Sequence, residues 1–203
     1  MSLRRHGPNL YGWGRLSEKW GFDFNGTAVV CDDAVLVVDP VEPTLDELAG
    51  LQGLGSHFVI VLLNADHERH SAELAEALNA AVYVHKDDKS LLKNPNVETF
   101  EDGHVFPGGW RVIQLSALKT PGECALYHDE QRALILGDAL IGDPVTGLRF
   151  VPPMKIANHT DALRSVSKLL DLRVECLILS DGFALPHGGG KAIQGFMDQS
   201  LKS

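Results

Sequence analysis

Short unbroken apolar runs alternate along this chain with stretches whose apolar residues recur at helical spacing. The clearest run, Phe58–Leu63, is continuous and rich in β-branched residues, as a central strand buried on both faces requires. Before it, Thr27–Cys31 and Ala34–Val38 read as a hairpin turned at Asp32–Asp33. Thr44 and Glu47 have capping-box spacing, so a helix starts there, and Gly53 or Gly55 stops it. Ser71–Leu78 is an Ala/Leu/Glu helix and Ala81–Val84 a strand. Trp110–Leu115, Cys124–His128 and Ala133–Leu136 are further strands, the last two joined by an acidic turn. Asp161–Leu170 places Leu163, Val166, Leu169 and Leu170 on one helical face. Cys176–Leu179 is another buried strand, and Lys191–Leu201 closes the chain as a helix. The first 24 residues, with Tyr11, Trp13, Trp20, Phe22 and Phe24 among glycines, are expected to form an irregular flap. Strands single and paired, with helices between them, define a mixed α/β class with both sheet faces covered.

Composition excludes several classes. The 203 residues carry 27 Asp+Glu against 18 Lys+Arg, a formal charge of −9, and 44% are apolar. That apolar fraction is globular, not disordered. An acidic chain without a basic cluster is not expected to bind nucleic acid. No apolar run approaches the ~18 residues of a membrane helix, so no membrane partner is expected. The opening MSLRRHGPNL has two arginines but no apolar stretch behind them, unlike a secretory signal. Cys31, Cys124 and Cys176 are widely spaced in apolar segments and read as buried free thiols, which implies a cytoplasmic location. A chain of this length is expected to form one domain over residues 1–203. A homo-oligomer stays open, since the aromatic N-terminal segment could cover a second copy as easily as its own core.

Four apolar strands end in an acid or amide: VLVVDP at Asp39, VIVLLNADH from Asn64, ALILGDA at Asp138 and LILSDGF at Asp181. Such residues at strand C-termini line the crevice where α/β ligand sites gather. Taken with KTPGECALY, in this order and at these spacings, the segments resemble the metallo-β-lactamase superfamily from about Phe24 to Lys191. The resemblance implies a four-layer αββα sandwich of two mixed β-sheets with outer helices. It also implies a sheet-edge site where relatives hold two metal ions, commonly zinc, and hydrolyse substrates with metal-activated water.

Carried over residue by residue, the family's His-x-His-x-Asp-His motif falls on Ala65, His67, Arg69 and His70. The His before its Thr-Pro-Gly turn falls on Lys119, the bridging Asp on Asp138, and the last His on Asp181. Arg offers only donors and keeps its proton, so it cannot ligate a metal. Arg69 and Lys119 are expected to occupy the volume of the missing ions, balancing Asp138, Asp181 and Glu123 through salt bridges. The remnant set His70, Asp138 and Asp181, with His67, suits a single zinc, iron or manganese ion if one is bound; no other cofactor is expected.

Two functional classes follow. In one, a hydrolase acts on a small ester, amide, thioester or phosphoester. Asp138 or Glu123 then serves as general base, Arg69 and Lys119 steady the oxyanion, and His67 carries protons near neutral pH. Asp181 and His187 complete the substrate contacts, His187 standing four residues beyond the Asp181-Gly182 turn. In the other, a catalytically silent member binds an anionic metabolite or a protein partner. His6, His57, His85, His104, His128 and His159 lack ligand spacing and are expected in loops or at the surface. His187-Gly188-Gly189-Gly190 resembles an esterase oxyanion loop, but the chain has no Gly-x-Ser-x-Gly elbow. Val151–Met154 is an apolar loop that either walls the pocket or simply packs.

Overall fold

The structure, a computed structural model, describes residues 3–143 and 145–201. Its first sheet runs in chain order: β1 (Arg4–Arg5), β2 (Leu10–Ser17), β3 (Phe22–Val30), β4 (Val35–Val38), β5 (Phe58–Leu62), β6 (Ala81–His85) and β7 (Glu98–Phe100). Pairing is antiparallel from β1 to β4 and parallel from β4 to β7. The parallel half needs crossovers, supplied in part by α1 (Leu45–Gln52) and α2 (Ser71–Leu78). Thr44 caps α1 as its spacing predicts: Glu47 N donates to Thr44 Oγ1 and Thr44 N to Glu47 Oε2.

The second sheet is built from β8 (Val105–Phe106), β9 (Trp110–Gln114), β10 (Cys124–His128), β11 (Ala133–Leu136), β14 (Cys176–Leu179) and β15 (Ala184–Leu185), in the spatial order β15-β14-β11-β10-β9-β8. A separate ribbon, β12 (Ile141–Asp143) with β13 (Gly147–Arg149), follows β11. Helices α3 (His159–Ser167) and α4 (Gly189–Ser200) complete the chain.

The layers follow from which way alternate strand residues point. Leu36 and Val38 of β4, Val61 of β5 and Ile135 of β11 meet in one core between the two sheets. Their neighbours Val37, Ile60 and Leu62 turn outward onto Leu51 and Leu74 of α1 and α2. Leu134 and Leu136 turn outward onto Val166 and Ile193 of α3 and α4. Strands so buried on both faces must be apolar throughout, which is why they appear as unbroken runs. Each such Val, Leu or Ile contributes about 1.5–3 kcal/mol by leaving water. The architecture is an αββα sandwich of two mixed sheets.

The expected N-terminal flap is corrected. Residues 10–17 form a full strand of the first sheet, paired with β3 from Leu10↔Val29 to Ser17↔Phe22. Trp13 lies in that sheet's outer core, with Nε1 donating to Val41 O at 2.8 Å. The segment therefore covers its own chain. His85, expected in a loop or at the surface, ends β6 and is buried. All three thiols are free; Cys124 and Cys176 are buried, and Cys31 is half-buried. Among the described residues, no helix is long and apolar enough to cross a membrane.

Candidate functional site

The C-terminal ends of β4, β5, β11 and β14 converge at one edge of the two sheets, bringing Asp39, Asn64, Asp138 and Asp181 together as their strand-end positions predict. Asp39 ties the sheets. Its Oδ1 accepts from Leu63 N at 2.8 Å, while Oδ2 meets His67 Nδ1 at 2.7 Å and Ser180 Oγ at 2.6 Å. With Nδ1 committed to Asp39, the His67 Nε2 faces Asp138 Oδ1 at 3.3 Å. His67, Asp39 and Asp138 are all at most 1% exposed.

Burial and the Arg69 charge both disfavour imidazolium at His67, but Asp39 and Asp138 outweigh them and its pKa is pushed up to about 10. Burial opposes ionisation of Asp138 as well; His67 and Lys119 overcome it and hold the carboxyl far below the usual range. Lys119 Nζ bonds Asp138 Oδ2 and lies 2.6 Å from Asp66 Oδ2. Burial favours neutral Lys119, yet the two acids keep its pKa raised. Arg69 Nη2 donates to Asp181 Oδ1 at 2.5 Å, and its guanidinium lies 4.6 Å from the centre of the Phe24 ring. Arg69 Nη1 is buried without a hydrogen-bond partner. Burial lifts the Asp181 carboxyl above its ordinary value against the pull of Arg69.

Backbone geometry holds these side chains in place. Asp39 and Arg69 have positive φ, 47° and 33°, a conformation that costs about 1–2 kcal/mol for a residue with a Cβ. After Asp181, Gly182 has φ 109°, and a Cβ there would stand 2.1 Å from Gly142 O. Glycine alone permits that approach, which lets Gly142 N donate to Asp181 O at 3.0 Å. From β3, Asn25 Nδ2 donates to Leu179 O and Gly182 O, clamping the end of β14.

Beside this edge lies a cavity of about 400 Å³. His67, Arg69, Lys119, Asp138 and Asp181 line it, with Asp66. Trp20, Phe22 and Phe24 also line it, as do Val151, Pro152 and Met154, so the 151–154 loop does wall the pocket. Arg149 and Lys155 add positive charge from the same loop region.

Not every expected residue arrives. Glu123 is fully buried behind the site: Oε1 accepts from Asp138 N at 2.7 Å and Asn64 Nδ2 at 3.4 Å, and Oε2 has no partner. Burial and nearby Asp138 push its pKa well up. His70 is half-buried, with Nδ1 3.7 Å from Glu73 Oε2 on α2, and stands outside the donor cluster. His187 is exposed beside Glu175 and does not line the cavity. Donor atoms of His67, Asp138 and Asp181 lie within 4.8 Å of one another, so these three could hold a metal ion. Asp66, Arg149 and Lys155 have no motif or spacing in the sequence that points to this cavity. Asp39 carried a signal, as the acid that closes an apolar strand; Asp66 carried none beyond its place beside His67.

A two-sheet αββα sandwich with an acid- and histidine-lined cavity at the strand ends places the chain in one class of α/β fold. The chain belongs to the metallo-beta-lactamase superfamily, whose family model matches residues 1–199. Among solved structures it is similar to the DIM-1 metallo-beta-lactamase, with TM-score 0.76 and 15% identity over 98% of this chain and 99% of that one. A metallo-beta-lactamase from Pontibacter korlensis gives TM-score 0.75 at 13% identity, covering 99% of each chain. An archaeal superfamily protein from Sulfolobus tokodaii gives 0.74 at 14%, covering 96% of this chain and 87% of that one. At such identities the likeness is one of fold. No curated protein sequence matches the chain.

Proposed function

We propose that this superfamily member acts hydrolytically on a small anionic ester, amide, thioester or phosphoester, with Arg69 and Lys119 as fixed cations in place of bound metal ions. The pairing of Lys119 with Asp138 and of Arg69 with Asp181 on the cavity wall carries the reading. Donor chemistry argues against a two-ion site. Ala65 has no donor atom, and Arg69 and Lys119 present protons rather than lone pairs. A single ion among His67, Asp138 and Asp181 would compete with both cations for the same carboxylates. A divalent ion about 4 Å from a unit positive charge is repelled by about 8 kcal/mol at an effective dielectric of ~20.

The roles follow from the geometry. Arg69 and Lys119 stabilise the oxyanion that forms when water adds to the scissile centre. Doubly protonated His67 stands ready to give a proton to the leaving group. It is not the neutral-pH carrier its ordinary pKa would make it, because its value is pushed up to about 10. Asp138 is the carboxylate at the cavity wall nearest the two cations, but its depressed pKa makes it a weak base, so turnover is slow. Glu123 supports the Asp138 backbone from behind instead of meeting substrate. A second reading, binding without turnover, is favoured by one observation: His67 and Asp138 satisfy each other's charge and leave no free base. Three free cysteines support a cytoplasmic location.

A panel of p-nitrophenyl carboxylate and phosphate esters, with and without added zinc or manganese, separates the two. Slow hydrolysis that is indifferent to metal and lost in Asp138→Asn supports the first. Ligand binding without turnover supports the second. Activity that appears only with metal would overturn the fixed-cation reading.

A further inference from the structure

We infer that Asp66 competes with the ligand's anionic group for Lys119, so that binding exchanges one oxyanion for another; the inference rests on the anion-binding reading above and deepens it. Lys119 Nζ is shared between two acids of very different freedom. Asp138 is 1% exposed and held from its other side by His67, so it cannot leave. The Asp66 side chain is 51% exposed, and among the described residues Lys119 is its only ion-pair partner. The backbone around Asp66 is fixed, with Ala65 N donating to Asp88 Oδ2 at 2.8 Å and His67 N to Asn64 Oδ1 at 3.1 Å. Exchange therefore needs only a side-chain rotation of Asp66 into solvent.

The ammonium stays paired throughout, so an incoming anion need not strip it of a partner. A neutral molecule cannot make the exchange, because it would leave Lys119 one negative neighbour short. The substrate class narrows accordingly to molecules that carry their own carboxylate or phosphate. Arg69 lines the same cavity and has Nη1 buried without a partner, so a turn of its guanidinium would give that oxyanion a second donor. The apolar body of the ligand then meets Phe22, Phe24, Val151 and Met154.

Calorimetric titration of the full chain with benzoate, phenylphosphate and neutral benzamide tests this, using wild type, Asp66→Ala and Asp66→Asn. Removing the competitor should tighten anion binding by about fivefold, the scale of one partly exposed ion pair, and leave benzamide unchanged. A gain for benzoate alone or phenylphosphate alone supports the exchange and assigns the anionic head. Wild-type anion binding that is unchanged or weaker in both variants overturns the exchange and leaves the anion site standing. No binding of either anion to any of the three chains overturns both.

Discussion

Asp88 and Asp138 are both buried aspartates near the same end of the sandwich, yet their partners differ in kind. Asp88 accepts from neutral donors: Ala65 N at 2.8 Å, Thr120 Oγ1 at 2.6 Å and Gly122 N at 2.6 Å. It clasps the turn after β5 to the turn before β10, and lies outside the cavity lining. Asp138 instead faces two cations, Lys119 and His67, borders the cavity, and keeps Oδ1 without a well-formed hydrogen bond. Adjacent residues divide between the two, since Lys119 serves Asp138 and Thr120 serves Asp88. A carboxylate satisfied by neutral dipoles holds a fold together. One balanced between two cations at a cavity wall instead holds those charges in place where a ligand can meet them.

The largest effect is expected where the clasp is removed. Asp88→Ala strands two backbone N–H groups and a hydroxyl, and should lower unfolding stability by about 3–5 kcal/mol in urea denaturation. Asp138→Asn leaves Lys119 and His67 undercompensated and should lower stability by about 2–4 kcal/mol at neutral pH. Its pH dependence has a definite sign. Because the folded pKa lies far below the unfolded value of 3.8, the contribution of Asp138 is present above that pH and is lost as pH falls through the folded value. Wild type and Asp138→Asn should therefore converge in stability on acidification below pH 3.8. A difference that stays at its full neutral-pH size well below that pH would contradict the assignment. The smallest effects sharpen the contrast between neighbours. Thr120→Val should cost about 1 kcal/mol and leave benzoate affinity unchanged, whereas Lys119→Met should abolish benzoate binding. Equal losses of affinity in both would erase the distinction.

Much of the sandwich is legible in the chain because double-sided burial forces unbroken apolar strands such as Phe58–Leu62 and Cys176–Leu179. The Thr44/Glu47 cap is local and reads directly. Strand β2 escaped because Gly12 and Gly14 weaken its apolar pattern and its identity comes from pairing with β3, a long-range fact. The ribbon β12–β13 is too short to announce itself. For the site, strand-end acids mark the crevice well, and Arg69 and Lys119 do meet Asp181 and Asp138. His70 and His187 could not be judged from spacing, since helix phase turns the first toward Glu73 and an exposed turn carries the second to Glu175. Nor could the partnership of His67 with Asp39 be read, because it bridges two elements 28 residues apart.

Elemental analysis of the purified full chain after dialysis tests the fixed-cation claim most directly. The account predicts zinc, iron and manganese well below one ion per chain, with folding unaffected by chelator. One or two equivalents retained by the protein would contradict it.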